Sequence, residues 1–264
     1  MFTNQNKVNI HNHFMELALK QAEINLGNTN SNPSVGCIIT KDNNVISAGH
    51  TSMNGRPHAE YNAIKSSKNS LKNSNLYVTL EPCSHFGVTP PCVDTIIKKK
   101  IKKVFFSIKD PDLRSYNKSH AILKKSGIQT KFGFLNSNIK KFYRSYFKYK
   151  KNSLPFVTCK LAISKDFFTI NKNKENIITN ESSRSRVHLM RSKHDCIITS
   201  SGTILKDNPR LTCRIKGLEN RSPSRILLDR KLKISMKSKI FKDAKKYQTI
   251  VFYNSINKKK IKKL

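Results

Sequence analysis

The sequence predicts an α/β protein in two domains, a three-layer α/β sandwich over residues 1–150 and a second α/β unit over 151–264. Helix-period and strand-period segments alternate through both halves, the pattern of a sheet covered by helices. At 264 residues the chain exceeds one average domain and can bury two cores. Between the halves, the basic stretch Lys148 to Ser153 gives way to the apolar run Leu154-Pro155-Phe156-Val157.

Element by element, Phe14, Ala18, Ala22 and Leu26 recur at four-residue spacing with Leu17 beside them, which predicts an amphipathic helix from His13 to Leu26, ended by Gly27. Val35 to Thr40 and Val45 to Ala48 predict a hairpin across Lys41-Asp42-Asn43-Asn44. A helix is expected from His58 to Ser67, a strand from Leu76 to Leu80, and a helix from Cys92 to Lys100 after Thr89-Pro90-Pro91. Val104 to Ile108 predicts a buried strand that ends at Asp110-Pro111. Helix Lys118 to Lys125, a strand near Ile128 to Phe132 and one basic helix from Asn138 to Lys150 complete the half. The second half is expected to open on a strand through Leu161, followed by a helix from Ser182 to Arg191 and strands at Asp195 to Thr199 and Arg225 to Asp229. No G-x-G-x-x-G fingerprint accompanies this alternation, so a dinucleotide site is not legible from motif alone.

The formal charge of +35, from 51 basic and 16 acidic residues, would ordinarily suggest a nucleic-acid or membrane surface. The lysines are spread through the whole chain, however, as on a solvated and compositionally drifted surface, with a few available to a phosphorylated ligand. Met1 to Leu26 lacks the continuous apolar core of a signal peptide, and no stretch approaches the ~20 apolar residues of a membrane span. A cytoplasmic protein with no nucleic-acid or membrane partner is expected. Six cysteines in such a chain read as thiols and metal ligands. Cys37, Cys159 and Cys196 lie in apolar runs and are expected in cores.

The chemistry concentrates at His58-Ala59-Glu60, Glu81-Pro82-Cys83 and Cys92. One imidazole and two thiols supply three ligands for a tetrahedral zinc with an open fourth position, and Glu60 adds a proton carrier. An H-x-E segment followed by P-C and a second Cys is the signature of zinc nucleobase deaminases, in which the Glu is acid/base and not a ligand. His58, Cys83 and Cys92 are therefore expected to bind the metal. The ligand segments fall where a strand or loop enters a helix, and unpaired backbone N–H groups there favour thiolate. On one helix His58 and Glu60 would diverge by roughly 200°. His85 and His50 could contact a polar substrate or remain idle, and Asn32 could read a pyrimidine edge or form a turn.

Between Cys83 and Cys92 stand eight residues, Ser84-His85-Phe86-Gly87-Val88-Thr89-Pro90-Pro91, where ordinary cytidine, adenosine and tRNA deaminases place two. With Asn32-Pro33-Ser34-Val35-Gly36-Cys37, Pro57-His58-Ala59-Glu60 and Thr79-Leu80-Glu81-Pro82-Cys83-Ser84-His85, the chain resembles the bifunctional riboflavin-biosynthesis deaminase/reductase family of bacteria from about Phe14 to Asp229. The resemblance implies a cytidine-deaminase-like α/β/α sandwich followed by an incomplete dihydrofolate-reductase-like domain. It implies as substrate a small phosphoribosylated pyrimidine whose 2-amino group is hydrolysed, with Zn2+ as cofactor and Asn32 and His85 near the substrate. The family commonly has Arg where Val88 stands and a second His where Phe86 stands, and its Gly-x-His appears here as Gly49-His50-Thr51.

In the second half, Lys160-Leu161-Ala162-Ile163-Ser164-Lys165-Asp166, Leu189-Met190-Arg191, Thr199 to Arg214 and Ile226-Leu227-Leu228-Asp229 resemble the reductase domain of that family. On matched positions Ala162, Thr203 and Asp207 would approach NADPH, and Arg191, Leu211 and Arg214 would hold the phosphoribosyl substrate. Thr203 and Asp207 could equally serve as helix cap and turn residues. The family's reductase domain continues beyond Leu264, and Phe167 and Phe168 stand where Gly and Arg are usual. The expectation is a working deaminase with a crippled or partner-completed reductase. A tRNA deaminase and a non-catalytic remnant are the rival readings, and association into homo-oligomers is left open.

Overall fold

The computed structural model describes residues 4–169 and 178–254. These divide into two compact units, the first ending at Thr158 and the second beginning at Cys159.

The first unit is built on a five-stranded sheet of β1 (Gly36–Lys41), β2 (Asn44–His50), β3 (Asn75–Leu80), β4 (Lys103–Ile108) and β5 (Gln129–Phe132), in the order β2-β1-β3-β4-β5. The β1–β2 hairpin turns through Asp42 and Asn43, both at positive φ, 50° and 61°. This is the backbone a two-residue hairpin requires, and Asp and Asn tolerate it. β3 joins β1 antiparallel, whereas β3, β4 and β5 run parallel. Helix α1 (Asn4–Glu23) covers one face and α2 (Ala59–Ser66) the other. Both approach backbone to backbone. A Cβ on Gly36 would meet Ala18 O at 1.9 Å, and one on Gly49 would meet Ala63 N at 2.3 Å. Phe14, Met15 and Ala18 of α1 and Ala59 and Ala63 of α2 join Ile39, Leu76, Val78, Val104 and Phe106 in one buried core. Helices α3 (Cys92–Lys98) and α4 (Lys118–Lys125) complete the parallel half.

The expected basic helix from Asn138 to Lys150 is two helices, α5 (Asn136–Phe142) and α6 (Arg144–Asn152). The break falls at Tyr143, which is 2% exposed. Its phenol lies 2.6 Å from Thr79 Oγ1 and donates to Ser34 O at 3.0 Å. A side chain held this deeply under the sheet fixes its own backbone against the helical run, which periodicity does not register.

The second unit contains α7 (Glu181–Arg191), β6 (Cys196–Ser200), α8 (Ser201–Asp207), β7 (Ser224–Leu228), α9 (Lys239–Lys242) and β8 (Thr249–Phe252). Its three strands are parallel in the order β6-β7-β8. Ile204, Leu211, Leu227, Ile234 and Ile240 form its core. The strand expected from Leu154 to Leu161 is irregular backbone, with Leu154, Val157 and Leu161 exposed. Strand propensity needs a partner strand, and no described strand pairs with this segment. The core role expected for three cysteines holds for Cys37, which is fully buried, and fails for Cys159 and Cys196, which are exposed. Cys159 lies in that irregular segment, and Cys196 alternates with the exposed Ile198 on one face of β6. Among the described residues no helix is long and apolar enough to cross a membrane.

Candidate active site

β3 leads into the turn that carries Cys83, Pro91 caps α3 so that Cys92 is its first residue, and His58 caps α2. Three chain segments thus deliver His58, Cys83 and Cys92 to one point, their ligand atoms all within 4.8 Å of one another. His58 Nδ1 lies 3.5 Å from Cys83 Sγ and 3.4 Å from Cys92 Sγ. A tetrahedral zinc with ordinary Zn–S and Zn–N bonds would set its N and S ligands about 3.5 Å apart, so this donor set fits that ion. His58 has extended backbone, φ −71° and ψ 161°, and precedes α2. The divergence expected of His58 and Glu60 on a common helix is therefore absent. Glu60 lies in the first turn of α2 and lines the same cleft as His58 and Cys83.

Without a metal one thiol is held down and the other up, as two sulfurs sharing one proton are, and Cys92 has to lose its proton for both to bind an ion. A hydrogen bond from the Cys92 thiol is the largest influence drawing the Cys83 thiol down to about 4. Cys92 is pushed well up, first by that same bond and then by burial. The bond to Cys83 raises His58 against the effect of burial. Glu60, 3% exposed, is pushed up to about 7, chiefly by burial and then by the negative charge of Cys83. A carboxyl poised near neutrality can both take and return a proton.

A cleft opens beside these residues, lined among others by Asn32, Thr51, Arg56, His85, Asp112 and Lys150. Asn32 Nδ2 donates to Gly55 O at 3.1 Å, which orients its amide. His85 pairs with Ser115 Oγ at 2.9 Å, and burial lowers its pKa. His50 does not line the cleft and contacts Gln21 Oε1 at 3.4 Å. Thr51, in the place of the displaced His, accepts the Val35 N–H at 2.9 Å. Phe86 and Val88 are exposed. Sequence reasoning missed Arg56, Asp112, Arg114, Tyr146 and Lys150 as cleft residues. Arg56, two residues before His58, carried a signal in its proximity to the motif, whereas Tyr146 and Lys150 arrive from α6 through tertiary packing and carried none.

In the second unit, His188 Nδ1 accepts the backbone N–H of Arg214 at 3.2 Å and lies 3.4 Å from Arg191 Nη1. Arg191 Nη1 donates to Thr212 O at 3.1 Å, and its buried Nε has no acceptor. Arg191 is lowered by burial and then by Arg214, as two crowded cations are. His188 was not expected, although His188-x-x-Arg191 is a same-face spacing on a helix. Leu211 is buried in the core at φ 59°, which leaves its side chain unavailable to a ligand. Thr203 and Asp207 lie one turn apart on α8, and Ala162 lies in irregular backbone.

A sheet with the H-x-E helix and both cysteine ligands at one end defines the cytidine-deaminase class of zinc-binding domain, here joined to a second α/β domain. Residues 8–108 match the cytidine and deoxycytidylate deaminase zinc-binding region, and residues 155–264 match the RibD C-terminal domain. The chain belongs to the family of the riboflavin biosynthesis protein RibD. It is 33% identical to that protein of Aquifex aeolicus over 252 residues, 95% of this chain and 70% of the relative. It is 34% identical to that of Bacillus amyloliquefaciens over 88% of this chain, and spans only 62% of that relative's length. The crystal structure of a diaminohydroxyphosphoribosylaminopyrimidine deaminase/5-amino-6-(5-phosphoribosylamino)uracil reductase from Thermotoga maritima superposes with a TM-score of 0.87 at 35% identity, covering 94% of this chain and 71% of the other.

Proposed function

We propose that the chain catalyses the zinc-dependent hydrolytic deamination of 2,5-diamino-6-(5-phosphoribosylamino)pyrimidin-4(3H)-one to 5-amino-6-(5-phosphoribosylamino)uracil, a step of riboflavin biosynthesis. The observation that carries this is the convergence of His58, Cys83 and Cys92 on one point with the buried Glu60 beside them. The substrate is taken from the description of the Thermotoga relative. His58, Cys83 and Cys92 hold the zinc, which when bound lowers the pKa of a coordinated water towards ~7. Glu60 accepts a proton from the attacking water, delivers it to the ring nitrogen as the C–O bond forms, and passes the second water proton to the departing ammonia. Asn32, its amide fixed by Gly55 O, offers the ring edge a donor and an acceptor, and His85 lines the same cleft. The site needs reduced thiols, which suits the cytoplasm.

For the second unit we propose NADPH-dependent reduction of the ribosyl group, with Arg191, Arg214 and the Leu211 backbone towards the substrate and Ala162, Thr203 and Asp207 towards the cofactor. The buried Arg191 Nε without an acceptor and the neighbouring positive charge of Arg214 favour a phosphorylated ligand.

Ammonia release from the pyrimidine, with about one zinc per chain, tests the deaminase reading. Glu60→Gln is expected to keep the zinc and lose turnover by about 10²–10⁴. Equal release by the variant, or release from tRNA in place of the pyrimidine, would refute it.

A further inference from the structure

A phosphorylated substrate in the zinc cleft needs a cationic or N–H-rich anchor, and we infer that Arg56, whose fork no carboxylate among the described residues occupies, is that anchor and sets the preference for a phosphorylated ligand. The inference rests on the pyrimidine reading of this cleft. Three Arg and Lys side chains line it, Arg56, Arg114 and Lys150. Arg114 and Lys150 both bind the Asp112 carboxylate, at 2.7 and 2.9 Å. Arg56 is half-buried, and among the described residues it has no ion-pair partner.

The surroundings of Arg56 hold its guanidinium in place while leaving donors free. Its Nη1 donates to Thr89 Oγ1 at 2.6 Å and lies 3.3 Å from His58 Nε2. Because His58 presents Nδ1 to the two sulfurs, its Nε2 carries the ring proton when Nδ1 is a ligand, and it then accepts nothing from Arg56. One of the five guanidinium N–H groups is therefore engaged, and the remaining fork matches phosphate. Gly87 keeps one edge clear, since a Cβ there would come within 3.2 Å of Arg56 Nη2. Arg56 thus stands between the metal-binding His58 and the loop to Cys92, a position from which it can hold the far end of a ligand whose ring lies at the metal.

The test uses the full chain loaded with zinc, and compares the phosphoribosylated pyrimidine with its dephosphorylated riboside by ammonia release and by calorimetric binding. Arg56→Ala is expected to raise KM for the phosphorylated form by at least about tenfold, the scale of a charged hydrogen bond, and that for the riboside far less, with any fall in kcat common to both ligands. Thr89→Val, which removes only the neutral partner, should retain the preference for phosphate, and Arg56→Lys should restore part of it. Equal loss on both ligands, or loss confined to kcat, overturns the inference and leaves Arg56 as a strut for Thr89. If the wild-type chain releases no ammonia, the deaminase reading fails separately. Calorimetry then decides for Arg56, because phosphate-dependent binding that Arg56→Ala abolishes supports it and its absence overturns it.

Discussion

The backbone N–H of Cys92 donates to the Cys83 sulfur at 3.2 Å. One thiol of the metal site is thereby positioned by the first residue of the helix that carries the other, and Val93 N adds a bond to Cys83 O at 3.3 Å. The eight-residue excursion between the two cysteines is thus closed at its base by backbone hydrogen bonds.

Cys83→Ser follows as the first prediction. Serine preserves the shape but supplies no thiolate at neutral pH, so zinc affinity should fall by at least about a hundredfold. Elemental analysis after dialysis measures it. Unchanged zinc content would mean that the ion sits elsewhere.

A second prediction concerns the sheet behind the site. Gly49 lies on β2, where an added Cβ would meet Ala59 O at 2.5 Å and Ala63 N at 2.3 Å. These are backbone atoms of α2, the helix that begins just after His58 and bears Glu60. Gly49→Ala must push the helix away, so it should cost about 1–3 kcal/mol of stability and weaken zinc binding as well. Chemical denaturation and zinc titration on one preparation test the coupling, which a stability loss with unaltered zinc affinity would contradict.

His58, Glu60, Cys83 and Cys92 were legible because ligand type, order and spacing are local properties, and the β1–β2 hairpin because its turn residues are. Helix α2 was legible too, but not His58's place before it, since a cap and a first-turn residue read alike in sequence. The two-helix form of residues 136–152 was hidden because Tyr143 is fixed by Thr79 and Ser34, both distant in sequence. Arg56 was signalled only by its closeness to His58, and what sets it apart from Arg114 and Lys150, which both pair with Asp112, was hidden because that pairing is tertiary. β8 and α8 were passed over because four- and seven-residue elements show too little periodicity to read.

Arg225 carries a third prediction. It is fully buried at the end of β7, bonded to Asp243 at 2.6 Å, Thr249 Oγ1 at 2.7 Å, and the carbonyls of Arg210, Ile240 and Tyr247. Arg225→Met takes the donor from the buried Ile240 carbonyl and from four part-buried acceptors, and leaves the Asp243 carboxylate, 23% exposed, unpaired. A cost of about 2–3 kcal/mol is expected, read as loss of hydrogen-exchange protection across β6, β7 and β8. Retained protection there would show that the network is dispensable.

The last prediction separates two neighbouring carboxylates by pH. Arg114 is the main influence holding the Asp112 carboxyl well below the usual range, with burial opposing and Lys150 adding. Its folded pKa is depressed, so its contribution to stability is fully present above the unfolded value near 4 and is lost as pH falls through the folded value. Arg114 is 64% exposed, so solvent screening keeps this contribution to about 1 kcal/mol. Asp110 behaves in the opposite sense. Burial is the largest cause pushing it up to about 6, against hydrogen bonds from the Asp112 N–H and the Tyr146 hydroxyl. Between pH ~4 and ~6 the unfolded chain loses this proton before the folded one does, so stability falls as pH rises through that window. Asp112→Asn should therefore be less stable than wild type at pH 7, with the difference shrinking below pH ~4. Asp110→Asn keeps an oxygen that accepts both hydrogen bonds, and should remove the decline between pH ~4 and ~6. Unfolding free energies across pH measure both, and parallel profiles for all three proteins would refute the assignment.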